Sequence, residues 1–156
     1  MELAARYGID WYPNSGAGCL LTDKNFASKC TDLVDHFGGR KPGRRDLMSL
    51  KTGRHLRLAS GTKVIVGRTQ VENEYLRELL GDTCWMFEAR DFVGASAFAF
   101  DEPQEQDFPV IASLCARYGK GSAEDAVTVI ASKGSISKEL NAQPASQKDM
   151  EPYFVR

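Results

Sequence analysis

The stretch from Arg54 to Gly81 constrains the fold most, because its hydrophobic period switches there from two to helical spacing. Arg54 to Ala59 and Thr62 to Gly67 are short runs joined by Ser60-Gly61, the local signature of a β-hairpin. Alternation puts Leu56 and Leu58 on one face and His55, Arg57 and Ala59 on the other. The leucines are therefore expected in the core and Arg57 in solvent. Thr69-Gln70-Val71-Glu72 then has the spacing of a capping box. It predicts a helix that carries Val71, Tyr75, Leu76, Leu79 and Leu80 inward and stops at Gly81.

The flanking segments extend this pattern. Trp11 to Gly18 is rich in turn formers and reads as a loop. Thr22 and Asp23 are N-cap candidates for a helix bearing Phe26, Cys30, Leu33, Val34 and Phe37, ended by Gly38-Gly39. The basic turn Arg40 to Arg45 leads into a brief helical piece at Asp46 to Leu50. Further on, Thr83 to Phe87, Ala95 to Phe100 and Ala126 to Ala131 read as strands. Phe108, Ile111, Leu114, Cys115 and Tyr118 have helical spacing, with Pro109 in the first turn, where its missing N–H costs little. The segment from Gly134 is polar and without periodicity.

The expected fold class is α+β: a mixed, mainly antiparallel sheet with helices packed on it, preceded by a loop-helix segment. The expected organisation is a loop-helix segment and basic linker over 1–50, a domain over 51–133 and a polar tail over 134–156. Leu3 to Tyr7 reads like the end of a helix already under way, which suits a fragment of a longer protein.

The formal charge of -1 hides a marked asymmetry. Between Gly38 and Arg68 nine basic residues (Arg40, Lys41, Arg44, Arg45, Lys51, Arg54, Arg57, Lys63 and Arg68) face the single acid Asp46, a local balance of +8. From Glu72 to Thr128 twelve acids face four bases, a balance of -8. A segment so biased suits contact with a polyanion, since lysine and arginine displace counterions from phosphates. The common alternative is a solvated loop and hairpin.

Cys19, Cys30, Cys84 and Cys115 form no C-x-x-C pair, and no apolar run approaches the roughly 20 residues that span a membrane. A reducing cytoplasm is the natural setting. Cys30, Cys84 and Cys115 occupy core-facing positions and read as small buried hydrophobes. His36 and His55 are isolated, with no partner spacing for a metal or a catalytic triad. Trp11, Tyr12 and Phe92 could stack bases, although aromatics beside loops more often pack onto their own domain. Cys19 stands after a glycine-rich loop and before a helix start, where thiolate is favoured. It is open to three readings: a structural thiol, a residue of no consequence, or a sulfur carrier.

The segments Val66-Gly67-Arg68, Gln70 to Leu76, Gly81-Asp82 and Gly94-Ala95-Ser96 together resemble the RNA-binding domain of NFACT proteins over about Arg54 to Ser132. Where that pattern has histidines on either side of the glycine, this chain has Glu88 (or Phe87) and Ala97. Gly18 to Phe26 resembles the cysteine segment of tRNA 2-thiouridylases, in which that cysteine carries the activated sulfur. Lys24 stands where the nearest version of the segment has proline.

The two resemblances imply an RNA-binding C-terminal region of a tRNA sulfurtransferase. Such a region would bind tRNA through Arg40, Lys41, Arg44, Arg45, Arg54, Arg57, Lys63 and Arg68 and offer Cys19 as the sulfur carrier. ATP would belong to an upstream PP-loop domain, because no S-G-G-x-D-S phosphate loop occurs in this sequence. The chain alone is then expected to be inactive, with no cofactor or metal of its own. A sulfur-donor protein is a further expected partner, and neither DNA nor membrane is. The alternative is a non-catalytic module that docks on the ribosome or on protein partners.

Overall fold

The computed structural model describes residues 6–8, 19–39, 41–100, 102–119 and 126–156. The hairpin forms where its turn residues place it. β1 (Arg54–Arg57) and β2 (Lys63–Val66) pair antiparallel, with Arg54 opposite Val66 and Arg57 opposite Lys63. Gly61 turns the chain at φ +92°, and the Leu58 N–H donates to the Thr62 carbonyl at 3.0 Å.

Helix α3 (Gln70–Leu80) follows two short N-terminal helices, α1 (Lys24–His36) and α2 (Arg44–Ser49). Thr69 caps α3 by accepting from the Glu72 N–H at 3.2 Å. The Glu72 carboxylate accepts from the Arg68 N–H at 2.7 Å, one residue further back than a capping box would place it. The buried stripe of α3 is Asn73, Leu76 and Leu80, and Val71, expected inward, is 74% exposed. The helix is turned so that the amide of Asn73 meets backbone partners, which makes its burial affordable.

The remaining strands are β3 (Trp85–Ala89), β4 (Ala97–Ala99), β5 (Val127–Lys133) and β6 (Ile136–Ala142), with α4 (Asp107–Arg117) between β4 and β5. The sheet order is β1-β2-β4-β3-β5-β6, and all five pairings are antiparallel. Thr83, expected to open a strand, closes a 3-10 turn at Gly81–Thr83 instead. The polar segment after Gly134 supplies the seven-residue strand β6 and a short helix, α5 (Gln147–Met150). Phe154 then bridges to Leu56, and the Val155 N–H donates to the His55 carbonyl at 3.0 Å, covering the outer edge of β1.

Helices cover both faces of the sheet. On one, α4 buries Phe108, Ile111, Leu114 and Cys115 against Leu56, Val64, Val66, Trp85, Phe87 and Val129. Trp85 and Phe108 meet edge to face at 4.9 Å. On the other, Leu76 and Leu80 of α3 pack on Ile65, Cys84 and Phe98. Each fully buried large apolar side chain contributes about 1.5–3 kcal/mol. Among the described residues no helix is long and apolar enough to cross a membrane.

Because this second face is covered, Arg57 does not project into solvent as alternation suggested. Its guanidinium donates to both Asp32 oxygens, from Nε at 3.0 Å and Nη2 at 2.8 Å, and the Lys63 ammonium joins the same carboxylate. Asp32, Lys63 and Arg57 have side chains only 9%, 8% and 15% exposed. Burial alone would push the Asp32 pKa up, but the hydrogen bonds and charges of Arg57 and Lys63 hold it below the ordinary value. One turn earlier, the buried ammonium of Lys29 donates to the carbonyls of Leu50 at 3.2 Å and Gly53 at 3.3 Å. Helix α1 is thus fastened by polar anchors more than by its apolar stripe, from which Val34 is 68% exposed and Cys30 only half-buried.

His55 lies beneath this cover. Its Nε2 donates to the carbonyls of Thr52 at 2.9 Å and Ser49 at 3.2 Å, and its Nδ1 has no partner among the described residues. Burial, then Lys63 and Lys29, lower its pKa from 6.5 to about 3. The unfolded chain therefore takes up a proton below pH 6.5 that the folded chain refuses until about pH 3. Stability is expected to fall by roughly 1.4 kcal/mol per pH unit across that window. Urea unfolding at pH 7.5, 6 and 5 checks this, and His55→Gln should flatten the profile.

Candidate nucleic-acid interface

The strand-to-helix junction Gly67-Arg68-Thr69-Gln70 builds one wall of a groove. Gly67 is required by close approach, because a methyl there would overlap the side-chain oxygen of Asn73. Both ends of the Asn73 amide are engaged: Nδ2 donates to the Gly94 carbonyl at 3.1 Å, and Oδ1 accepts from the Ser96 N–H at 3.3 Å. It fastens helix α3 to the loop between β3 and β4.

Two adjoining cavities form the groove. One, of about 340 Å³, is lined by Arg54, Arg68, Gln70, Asn73, Val93 and Tyr118 among others. The second, of about 450 Å³, shares Gln70, Val93, Gly94 and Ala95 with it and adds Arg77, Glu88, Arg90 and Ser96. Arg54 lies over the Tyr118 ring with its guanidinium carbon 4.3 Å from the ring centroid. Arg68 donates from Nη2 to the Gly53 carbonyl at 3.0 Å. In the second cavity Glu88 accepts from Ser96 Oγ at 2.6 Å and pairs with Arg77.

The basic residues read from the sequence separate into three groups. Arg54 and Arg68 converge on the groove. Lys41 and Arg44 are exposed beside helix α2, while Arg45 donates to Thr83 Oγ1 at 2.6 Å and lies 5.8 Å from the Phe100 ring centroid. Arg57 and Lys63 are joined to Asp32 beneath helix α1. Arg40, Trp11 and Tyr12 lie outside the described residues.

Cys19 is exposed and precedes a 3-10 turn at Leu20–Thr22 rather than helix α1 itself. The start of α1 is capped by Asp23, whose carboxylate accepts from the Phe26 N–H at 2.8 Å. The helix terminus is thereby occupied by a carboxylate and not by the thiol. Cys84 and Cys115 are buried as expected. Burial, followed by the Glu88 carboxylate, pushes the Cys115 thiol up to about 12, so it stays protonated. Among the described residues no group of three or more histidine, cysteine or acidic side chains is placed to hold a metal.

Tyr118, Asn73 and Ser96 escaped the sequence reading as groove residues. Tyr118 continues the apolar period of α4, and only its place beside the helix-ending Gly119 marks it as different.

Residues 53–154 match the family model described as the NFACT protein RNA binding domain. No curated protein matches the sequence. Six chains of solved structures match it. Among them is the C-terminal of the fibronectin/fibrinogen-binding protein from Streptococcus suis, at 16% identity and a TM-score of 0.58. The alignment covers 84% of this chain and 61% of that one. At that identity the likeness speaks for the fold alone.

If the Gly67 and Asn73 contact sets the groove, Gly67→Ala should lower stability by about 2–3 kcal/mol through overpacking and loss of the amide's bonds. Asn73→Ala should cost about 1–3 kcal/mol. The double variant should be clearly more stable than the sum of the two losses, because removing the amide makes room for the methyl. Thermal and urea denaturation of the four proteins measure the coupling.

Proposed function

The chain belongs to the family of NFACT RNA-binding domains, and from that premise we propose that the RNA it holds is tRNA, positioned for ATP-dependent thiolation by a PP-loop domain of the same protein. The convergence of Arg54 and Arg68 on the groove carries the RNA reading, because these guanidinium groups approach one concavity with Lys41 and Arg44 exposed elsewhere on the basic stretch. Arginine suits the task through its planar fork, which pairs with phosphate and stacks on bases. The acidic stretch beyond Glu72 repels phosphate and orients the bound strand toward the basic side. The grip is weak and relies on an attached partner domain.

The resemblance of Gly18 to Phe26 to the 2-thiouridylase cysteine segment supports the thiolation context, as does the exposure of Cys19. In this reading Cys19 carries a persulfide whose terminal sulfur attacks a uridine carbonyl carbon whose oxygen the PP-loop domain has adenylated, and AMP leaves. A second thiol attacks the Cys19 sulfur, breaking the S–S bond so that the sulfur stays on uridine and a disulfide forms at Cys19, which a cellular thiol reduces. A sulfur-donor protein regenerates the persulfide. Because Asp23 already caps helix α1, the carrier reading takes no support from that helix end.

If Lys41, Arg44, Arg54 and Arg68 make the phosphate contacts, log K for tRNA falls against log salt with a slope of about -3. Replacing Arg40, Lys41, Arg44 and Arg45 together by Ala should weaken tRNA binding and flatten the slope, and an unchanged slope overturns the assignment. Parallel titrations against ribosomal subunits and duplex DNA separate tRNA from the docking alternative, which predicts tighter binding to the subunits. In the intact protein Cys19→Ser should abolish tRNA thiolation, and retained activity removes Cys19 from the carrier role.

A further inference from the structure

We propose that the 340 Å³ cavity at Arg54, Arg68 and Tyr118 seats a single unpaired nucleotide of the bound RNA, its base stacked on the Arg54–Tyr118 pair and its phosphate on Arg68. The proposal rests on the RNA-binding reading and adds the class of RNA segment recognised.

The cavity's walls come from four separate parts of the fold. Arg54 belongs to β1, Arg68 and Gln70 to the junction before α3, Val93 and Gly94 to the loop between β3 and β4, and Tyr118 to the end of α4. The loop wall is fixed twice. Asn73 holds it from one side. From the other, Phe92 packs so tightly on Gly119 that a methyl on that glycine would overlap the ring, and a methyl on Gly94 would come within 2.8 Å of the Gly119 Cα. A base therefore meets preformed walls, which limits the ordering cost of binding.

The chemistry of the lining selects the occupant. The Arg54 guanidinium already lies over the Tyr118 ring in a cation–π contact, so two flat π groups line the cavity together. Val93, 74% exposed, supplies an apolar neighbour at the rim. Arg68 uses Nη2 on Gly53 and keeps further N–H donors for a phosphate. The backbone at the start of α3 is not the attraction, because the Glu72 carboxylate already takes the Arg68 N–H. A volume of about 340 Å³ is at the small end of ligand sites, which run from about 300 to 1,000 Å³. A duplex keeps its bases stacked inside and cannot place a π face in such a concavity, whereas a loop or single strand can.

The neighbouring cavity adds polarity. Glu88 and Asp91 lie along it with Arg77 and Arg90, so its charges largely offset one another, while among the described residues the first cavity, with Arg54 and Arg68, has no acidic lining residue. The phosphate accordingly goes to the Arg68 end.

The test compares a labelled oligouridylate of roughly eight nucleotides, within the usual site size of single-strand binders, with a blunt RNA duplex of equal length. Tyr118→Leu should weaken oligouridylate binding on the order of tenfold, as loss of one stacked base does, without changing the salt slope or the duplex affinity. Tyr118→Phe should keep wild-type affinity, and Arg54→Lys, which retains charge and loses the plane, should behave like Tyr118→Leu. Equal losses for both RNAs, or no loss while binding persists, overturn the base seat and leave the RNA reading intact. Failure of the wild-type domain to bind either RNA overturns the RNA reading itself. Should Tyr118→Leu fail to fold, 2-aminopurine placed in the single strand decides on the wild type: stacking quenches its emission, and unquenched emission in the complex overturns the proposal.

Discussion

The side-chain amide of Asn73 holds together parts of the domain that no strand pairing connects. Its donor and acceptor are spent on the backbone of Gly94 and Ser96, and its oxygen lies where any side chain at position 67 would have to go. Three consequences share this one cause. Helix α3 is turned to bury an amide rather than Val71, the loop between β3 and β4 is drawn toward the helix, and Arg68 emerges at the mouth of the resulting groove. A buried amide left half satisfied would cost what a whole apolar contact brings, so the arrangement works only because both ends are met.

Charge in this chain is distributed by depth as well as by sequence. The stretch that is +8 along the chain offers fewer cations in space, since Arg57 and Lys63 converge on Asp32 and Lys29 is spent on two carbonyls. Those three hold the N-terminal helix, which precedes the segment that matches the family model, onto the rest of the domain. Removing one partner from such a buried cluster strands the others and is far more damaging than the net worth of the pair suggests. Among the described residues of that stretch, the cations that remain accessible include Lys41 and Arg44 at the start of α2, Lys51 just after it, and Arg54 and Arg68 at the groove.

Much of the fold was legible because its causes are local. The Ser60-Gly61 turn, the Thr69 cap and the apolar period of α4 each act over a few residues, and each appears where expected. The α+β class and the antiparallel sheet followed from them. What could not be read depends on distant partners. Arg57 has a solvent-facing position only until Asp32, far earlier in the chain, covers it. Strand β6 carries polar residues on both faces and is defined by seven pairings with β5 and by Lys138, whose ammonium lies 4.2 Å from the Phe108 ring centroid. The groove was half legible: its arginines declared themselves through charge, while Tyr118 was hidden inside a helical period that it also satisfies.

The bridge between Leu56 and Phe154 bears on how the domain is made. The two residues are roughly a hundred positions apart, so β1 emerges from the ribosome long before the segment that covers its edge. Until then the hairpin presents an unpaired row of backbone donors and acceptors beside buried leucines, the configuration most prone to join another chain. Closing such a long loop is entropically slow. The polar cover supplied by Lys29 and Asp32 is therefore useful before the sheet is complete, because α1 is synthesised ahead of the hairpin and can shield one face of it from the outset.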